Sequence, residues 1–173
     1  MQRAWSMAIE IDDAKFQQIL DVTLGGQGLG PWELRTVLLI AQLAAAIDLD
    51  DDPDELTTLR TLTSKLCARG GLSPDRIPQL APIPTDDEER AARVAALVRE
   101  LPTTAARDLA FALAYLVIVA DLELAPIEDS LLQQLRRALT IPGERASELI
   151  AAIAAIVTPS EAEDVHPIVT RTC

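Results

Sequence analysis

Residues 48–55 read DLDDDPDE and residues 121–128 read DLELAPIE, so an acidic stretch with proline at its sixth position occurs twice, 73 residues apart. An apolar run precedes each stretch, at residues 37–47 and 110–120. After the stretches, leucines coincide at the same offset: Leu59, Leu62 and Leu66 with Leu132, Leu135 and Leu139. An internal repeat of this kind decides the architecture, because each unit usually needs its partner to bury an apolar face.

Composition and periodicity predict a helical bundle. Hydrophobic residues make up 49% of the 173 residues but aromatic residues only 3%, so the core must be built from Leu, Ala, Ile and Val. We expect an all-α fold of about seven helices, formed by two pseudo-symmetric helix-helix-loop-helix units plus a terminal helix. The units span about residues 12–70 and 86–140, and the terminal helix about 144–157. Together they form a single domain over residues 1–160, followed by a flexible tail at 161–173.

The charge balance restricts the possible partners. A formal net charge of −12 argues against nucleic acids and anionic membrane surfaces, and it suits a cation or a basic protein partner. The apolar runs are shorter than the roughly 20 residues that a membrane helix needs. Residues 1–10 lack the apolar core of a signal peptide, and two cysteines do not make a disulfide framework. We therefore expect a cytoplasmic protein with no membrane insertion.

The second acidic stretch predicts a cation site. Asp121 ends an apolar helix, where the helix dipole disfavours an acid, so it needs a counter-charge, a cation or a hydrogen-bond partner. Glu128 follows Pro126 in the first turn of the next helix, and Glu123 lies between them. Three carboxylates within eight residues suit Ca²⁺ or Mg²⁺, which prefer oxygen ligands.

The first acidic stretch is richer in charge. Six of its eight residues are acids, and the spacing Asp48-x-Asp50-x-Asp52 resembles the start of an EF-hand calcium loop. It departs from an EF-hand because Pro53 stands where the turn needs glycine and Leu59 stands where the bidentate glutamate belongs. Six close negative charges repel one another, and a bound cation would relieve that repulsion.

Other interpretations of these acids remain open. Helix capping and the helix dipole explain Glu128 without a metal, and an acidic run is often a solvated surface. The acidic loops could also bind a basic protein partner directly, as a metal-free interaction scaffold. The sequence offers few groups for acid-base or nucleophilic catalysis, because His166 is the only histidine and neither Cys67 nor Ser160 has a base beside it. We therefore expect a protein that is not an enzyme.

The second stretch resembles the motif of the TerB-like tellurite-resistance family. The family pattern reads roughly ADGEIsPEE, usually once in each half of an all-helical domain, and residues 120–128 here read ADLELAPIE. Residues 47–50, IDLD, are the corresponding feature of the first half. Leu49 and Leu122 stand where the family prefers glycine, which would let the turn adopt positive φ.

The resemblance implies a small, acidic, cytoplasmic helical protein of tellurite or stress response that binds a divalent cation. We expect such a module to act through a protein partner. Six candidate ligands carry over by position: Asp48, Asp50, Glu55, Asp121, Glu123 and Glu128.

Overall fold

A computed structural model describes residues 9–47, 52–79, 81–121 and 125–158 of the chain, and the predicted tail at 161–173 lies outside them. Within these ranges the fold has seven α-helices and no β-strand, which confirms the all-α prediction. None of the described helices is long and apolar enough to cross a membrane. The helices are α1 (Asp13–Leu24), α2 (Pro31–Ala45), α3 (Pro53–Gly70), α4 (Asp87–Val98), α5 (Thr104–Ile118), α6 (Pro126–Ala138) and α7 (Gly143–Val157).

The helix boundaries repeat along the chain. Helices α2 and α5 begin 73 residues apart and also end 73 residues apart. Helices α3 and α6 begin at Pro53 and Pro126, again 73 residues apart, as the sequence predicts. Helices α1 and α4 are each 12 residues long. The two halves therefore share the same order of helix, helix, acidic stretch and helix.

The centre of the molecule is the pair formed by α2 and α5, which make the most extensive contact between any two helices. Their first turns lie side by side. The Thr103 hydroxyl, which caps α5, donates to Glu33 Oε1 at 3.3 Å, and the Thr36 hydroxyl donates to Glu100 Oε2 at 2.8 Å. Because their N-terminal ends meet and the two helices also pack extensively against each other, α2 and α5 run in the same direction.

Helix α5 is enclosed on nearly all sides. From Ala106 to its end, every residue is buried except Arg107 and Tyr115, which are half-buried. Helices α1, α2, α3, α6 and α7 all pack against it. This explains why the sequence of α5 is apolar around its whole circumference rather than along one stripe.

The two halves differ after their third helices. Residues 70–84 and α7, at 143–157, occupy the same position in the repeat, since they are also 73 residues apart. The earlier segment contains Pro74, Pro78, Pro82 and Pro84, which cannot be accommodated in a long helix. Its described part beyond Gly71 forms only a short 3₁₀ turn, Pro74–Arg76. A proline-rich linker in the first half thus replaces α7 of the second half.

Candidate functional site

Half of the six predicted cation ligands lie outside the described residues. This holds for Asp48, Asp50 and Glu123, and Asp121 is described only by its backbone, in the 3₁₀ turn Val119–Asp121. Among the residues that the structure does describe, no three His, Cys, Asp or Glu side chains come together as a metal site. Two of the six candidates can therefore be located in full.

These two, Glu55 and Glu128, occupy equivalent positions in the repeat. Each is the third residue of its helix, two residues after the proline that begins α3 or α6. Both are deeply buried, with 2% of Glu55 and 4% of Glu128 exposed to solvent. Burial of a carboxylate costs free energy unless hydrogen bonds or an opposite charge compensate for it. Two glutamates buried at matching positions are therefore a specific feature of this fold.

Glu128 stabilises the start of α6. Its Oε2 accepts a hydrogen bond of 2.6 Å from the backbone N–H of Ala125, the residue that precedes the helix. At the start of α3 the capping carboxylate is instead Asp52, whose Oδ1 accepts from the N–H groups of Asp54 and Glu55 at 2.7 and 3.2 Å. Both helices therefore begin at a carboxylate that satisfies backbone donors, as is common at helix N-termini.

A third helix shows the same arrangement without an acidic stretch before it. Helix α2 begins with Pro31, and Oε2 of Glu33 accepts a hydrogen bond of 2.9 Å from the N–H of Gly30. With proline as the first helical residue, the pattern Pro-x-Glu thus begins three helices, at residues 31–33, 53–55 and 126–128. Our sequence analysis missed the first of these, although the pattern is visible in the sequence. Capping explains why glutamate follows proline, but Glu33 is only half-buried, whereas Glu55 and Glu128 are buried.

The described residues that flank the two acidic stretches lie at one end of the α2–α5 pair. Because α2 and α5 run in the same direction, their C-terminal ends point the same way. Helix α3, which begins within the first stretch at Pro53, contacts the turn Val119–Asp121, whose last residue begins the second stretch. The sequence places six acids in one stretch, three in the other and no basic residue in either. The helical parts of both stretches, residues 53–55 at the start of α3 and residues 126–128 at the start of α6, follow these two C-terminal ends in the chain.

A second polar cluster, which the sequence analysis missed, joins three helices. Asp108 of α5 is buried, and its Oδ2 accepts from Nε and Nη2 of Arg145 in α7 at 2.9 and 2.8 Å. The same guanidinium donates to the backbone carbonyl of Val22 in α1 at 3.0 Å. The hydrogen bond that Arg145 donates to Asp108 raises the pKa of Arg145 above its ordinary value. The signal in the sequence was an aspartate, next to Arg107, near the start of a helix that is otherwise largely apolar.

The remaining reactive side chain of the core is a poor nucleophile. Cys67 in α3 is completely buried, and burial raises the pKa of its thiol above the ordinary value of 9.0. A thiol with a raised pKa stays protonated at neutral pH, and the thiolate is the reactive form. Cys67 therefore behaves as a small apolar core residue.

Two clefts occupy equivalent places in the two halves. The first cleft, between α2, α3 and the linker, has a volume of about 760 Å³, and its lining includes Gln42, Leu56, Leu59, Arg60, Thr63 and Pro74. The second cleft, between α5, α6 and α7, has a volume of about 500 Å³, and its lining includes Tyr115, Asp129, Leu132, Gln133, Arg136 and Ser147. Each residue of the first set corresponds to one of the second at the 73-residue offset.

Comparison with known proteins identifies no relative: no protein-family model, no curated protein and no solved structure matches this chain.

Proposed function

We propose that this chain is a non-catalytic helical module that binds a divalent cation, Ca²⁺ or Mg²⁺, through its two acidic stretches and acts through a protein partner. The motif at residues 120–128 supports a place among TerB-like proteins, in the cytoplasm and in tellurite or stress response. The observation that carries the cation proposal is the burial of Glu55 and Glu128 at equivalent positions, the last residue of each stretch.

The chemistry of the donor set fits such a cation. The candidate ligands are all carboxylates, which Ca²⁺ and Mg²⁺ prefer over nitrogen or sulfur. Ca²⁺ takes about six to eight oxygen ligands, so Glu55 or Glu128 supplies only part of a site. The rest would come from the acids of the stretches: Asp48, Asp50, Asp121 and Glu123. A cation would also reduce the repulsion among the six acids that lie within eight residues of the first stretch.

One observation favours the metal-free alternative, an interaction scaffold whose acidic loops bind a basic partner. The bond from the N–H of Ala125 to Glu128 Oε2 is the same helix cap that Glu33 makes with Gly30. At α2 this cap exists without an acidic stretch, so the residue type at position 128 does not require a metal. The two functions differ in whether the carboxylates bind an ion, which a titration measures.

Calorimetric titration with Ca²⁺ and Mg²⁺, after treatment with a chelator, tests the proposal. We expect saturable heat with the wild-type chain. Asp121→Asn with Glu123→Gln, or Asp48→Asn with Asp50→Asn, should weaken binding at least about tenfold, because charged oxygen ligands are lost.

The matched control is Asp86→Asn with Asp87→Asn, which removes two negative charges at the start of α4, outside both stretches in sequence. This variant should bind the cation as the wild type does. Absence of saturable heat in the wild type, or equal weakening in all three variants, would support the metal-free scaffold instead.

A further inference from the structure

The first cleft is more open than its counterpart because of what forms its third wall. In the second cleft that wall is α7, which contributes Ser147 and three further residues to the lining. In the first cleft the linker takes the same place and contributes only Pro74 and Gln79 among the described residues, both exposed. The cleft that lacks a covering helix is the larger one, about 760 Å³ against about 500 Å³.

The first cleft is also more apolar along α3. Leu56 stands where the second cleft has Asp129, so an apolar side chain replaces an acid. Leu59 is half-buried, whereas its equivalent Leu132 is covered to 5% exposure. A surface with more apolar lining and less cover is typical of a site that a partner buries.

Charge indicates the chemistry of that partner. Arg60 is the only charged side chain among the described residues that line the first cleft, and it disfavours a basic residue placed directly beside it. The attraction to a basic partner comes from the acids next to the cleft. At the start of α3, close to Leu56 in sequence, Asp52 and Asp54 are partly exposed and follow the other acids of the first stretch. A partner with basic residues at this end of the cleft would be attracted to it.

We infer that the first cleft binds an amphipathic helix of a protein partner, with small and branched apolar residues on one face and lysine or arginine on the other. The model for the occupant is α7 itself, which covers the equivalent position of the second half with Ala146, Leu149 and Ile153 buried. Amphipathic helices commonly bind in apolar grooves in this way. The inference deepens the partner half of the proposed function and does not depend on the cation.

A synthetic peptide provides the probe. It keeps the apolar residues of α7 at their own spacing and carries lysine at the other positions, and its binding to the full chain is followed by fluorescence anisotropy in the presence of a chelator. We expect saturable binding to the wild type. Leu56→Asp should weaken it at least about tenfold, because an apolar contact is lost. The added carboxylate attracts a lysine-rich peptide, so weakening cannot come from charge.

The matched control is Ile127→Asp, which introduces an acid in the first turn of α6, where Ile127 is exposed and outside both clefts. It should leave the affinity unchanged or slightly increase it. A second variant, Ser64→Trp, fills the cleft from an exposed position of α3 and should also weaken binding at least about tenfold. Circular dichroism of each variant checks that the helices are retained.

Several outcomes would overturn the inference. They are no saturable binding to the wild type, equal weakening by Ile127→Asp, or no weakening by Leu56→Asp and Ser64→Trp. A concentration-dependent dimer that Leu56→Asp abolishes would assign the cleft to a second copy of the chain. A chain ending at Thr158 that binds the peptide at least about tenfold more tightly than the full chain would assign the cleft to residues 159–173. Because the peptide titration contains chelator, its failure is separate from a failure of cation binding.

Discussion

Arg145 shows how one side chain links parts of the fold that are distant in sequence. It connects α7 to Asp108 of α5 and to the Val22 carbonyl of α1. Asp108 has 5% of its side chain exposed and Arg145 has 33%, so the carboxylate is buried and the guanidinium is partly exposed to solvent. A buried ion pair adds little net stability over an apolar pair, but removal of one partner leaves the other charge uncompensated. Removal of one partner should therefore change the free energy of unfolding more than removal of both.

We expect Arg145→Leu to lower the free energy of unfolding by about 3 kcal/mol, because the Asp108 carboxylate stays buried without its cation. The double variant Asp108→Leu with Arg145→Leu should lose less than this single variant, since no charge is left in the core. Urea denaturation of the three proteins measures the difference. A double variant that is less stable than Arg145→Leu would show that the pair itself stabilises the fold.

The buried thiol of Cys67 predicts a stability change at alkaline pH. Its pKa in the folded protein is raised above 9.0, so the unfolded chain loses this proton first. The resulting stabilisation is full below pH 9 and is lost as the pH rises through the folded pKa. From pH 9 to pH 10 the loss amounts to up to about 1 kcal/mol. Cys67→Ala should lack this part of the decline, and equal slopes in wild type and variant would contradict the prediction.

At the scale of the elements, variants at the Pro-x-Glu helix starts distinguish the contribution of helix capping to stability from that of glutamate burial. Glu128→Ala removes the acceptor for the Ala125 N–H and should cost about 1–2 kcal/mol in the free energy of unfolding. Glu128→Gln retains a carbonyl oxygen that can accept this bond, so it should cost less. Glu33→Ala is the matched variant at α2. Thermal or urea denaturation without cation checks these values, and a Glu128→Ala variant as stable as wild type would rule out the cap as a source of stability.

Helix α5 is the element on which the core depends. Leu116 is completely buried, and Leu116→Ala should cost about 2–5 kcal/mol because the lost contacts leave a cavity. Denaturation of the purified variant measures this cost. A loss below about 0.5 kcal/mol would mean that the surrounding helices move to fill the cavity. Such movement is difficult in a close-packed interior, because α2 and α6 both pack against α5.

For the whole molecule, the repeat was the most informative property of the sequence. It predicted the matching prolines that begin α3 and α6. Composition and apolar periodicity predicted the all-α class and about seven helices, because periodicity and helix-start residues are local signals. The sequence did not predict the parallel α2–α5 pair. That arrangement depends on contacts such as Thr103 to Glu33, which are distant along the chain.

The candidate site was less predictable than the fold. Sequence reasoning identified the acids of both stretches, but it gave no sign that Glu55 and Glu128 are buried, because burial depends on how the helices pack. It also missed the Asp108–Arg145 pair for the same reason. The difference between the two clefts emerges only when the linker and α7 are compared in three dimensions.

The measurement that tests the central claim most directly is the melting temperature as a function of Ca²⁺ or Mg²⁺ concentration, after removal of bound ions. A cation that binds only the folded chain must raise the melting temperature as its concentration exceeds the dissociation constant. We predict such a rise for the wild type and for Glu33→Gln, and a much smaller one for Glu128→Gln, which removes a charged ligand while keeping a capping oxygen. A wild-type melting temperature that does not change with cation concentration, or the same rise in all three proteins, would contradict a cation site built on the buried glutamates.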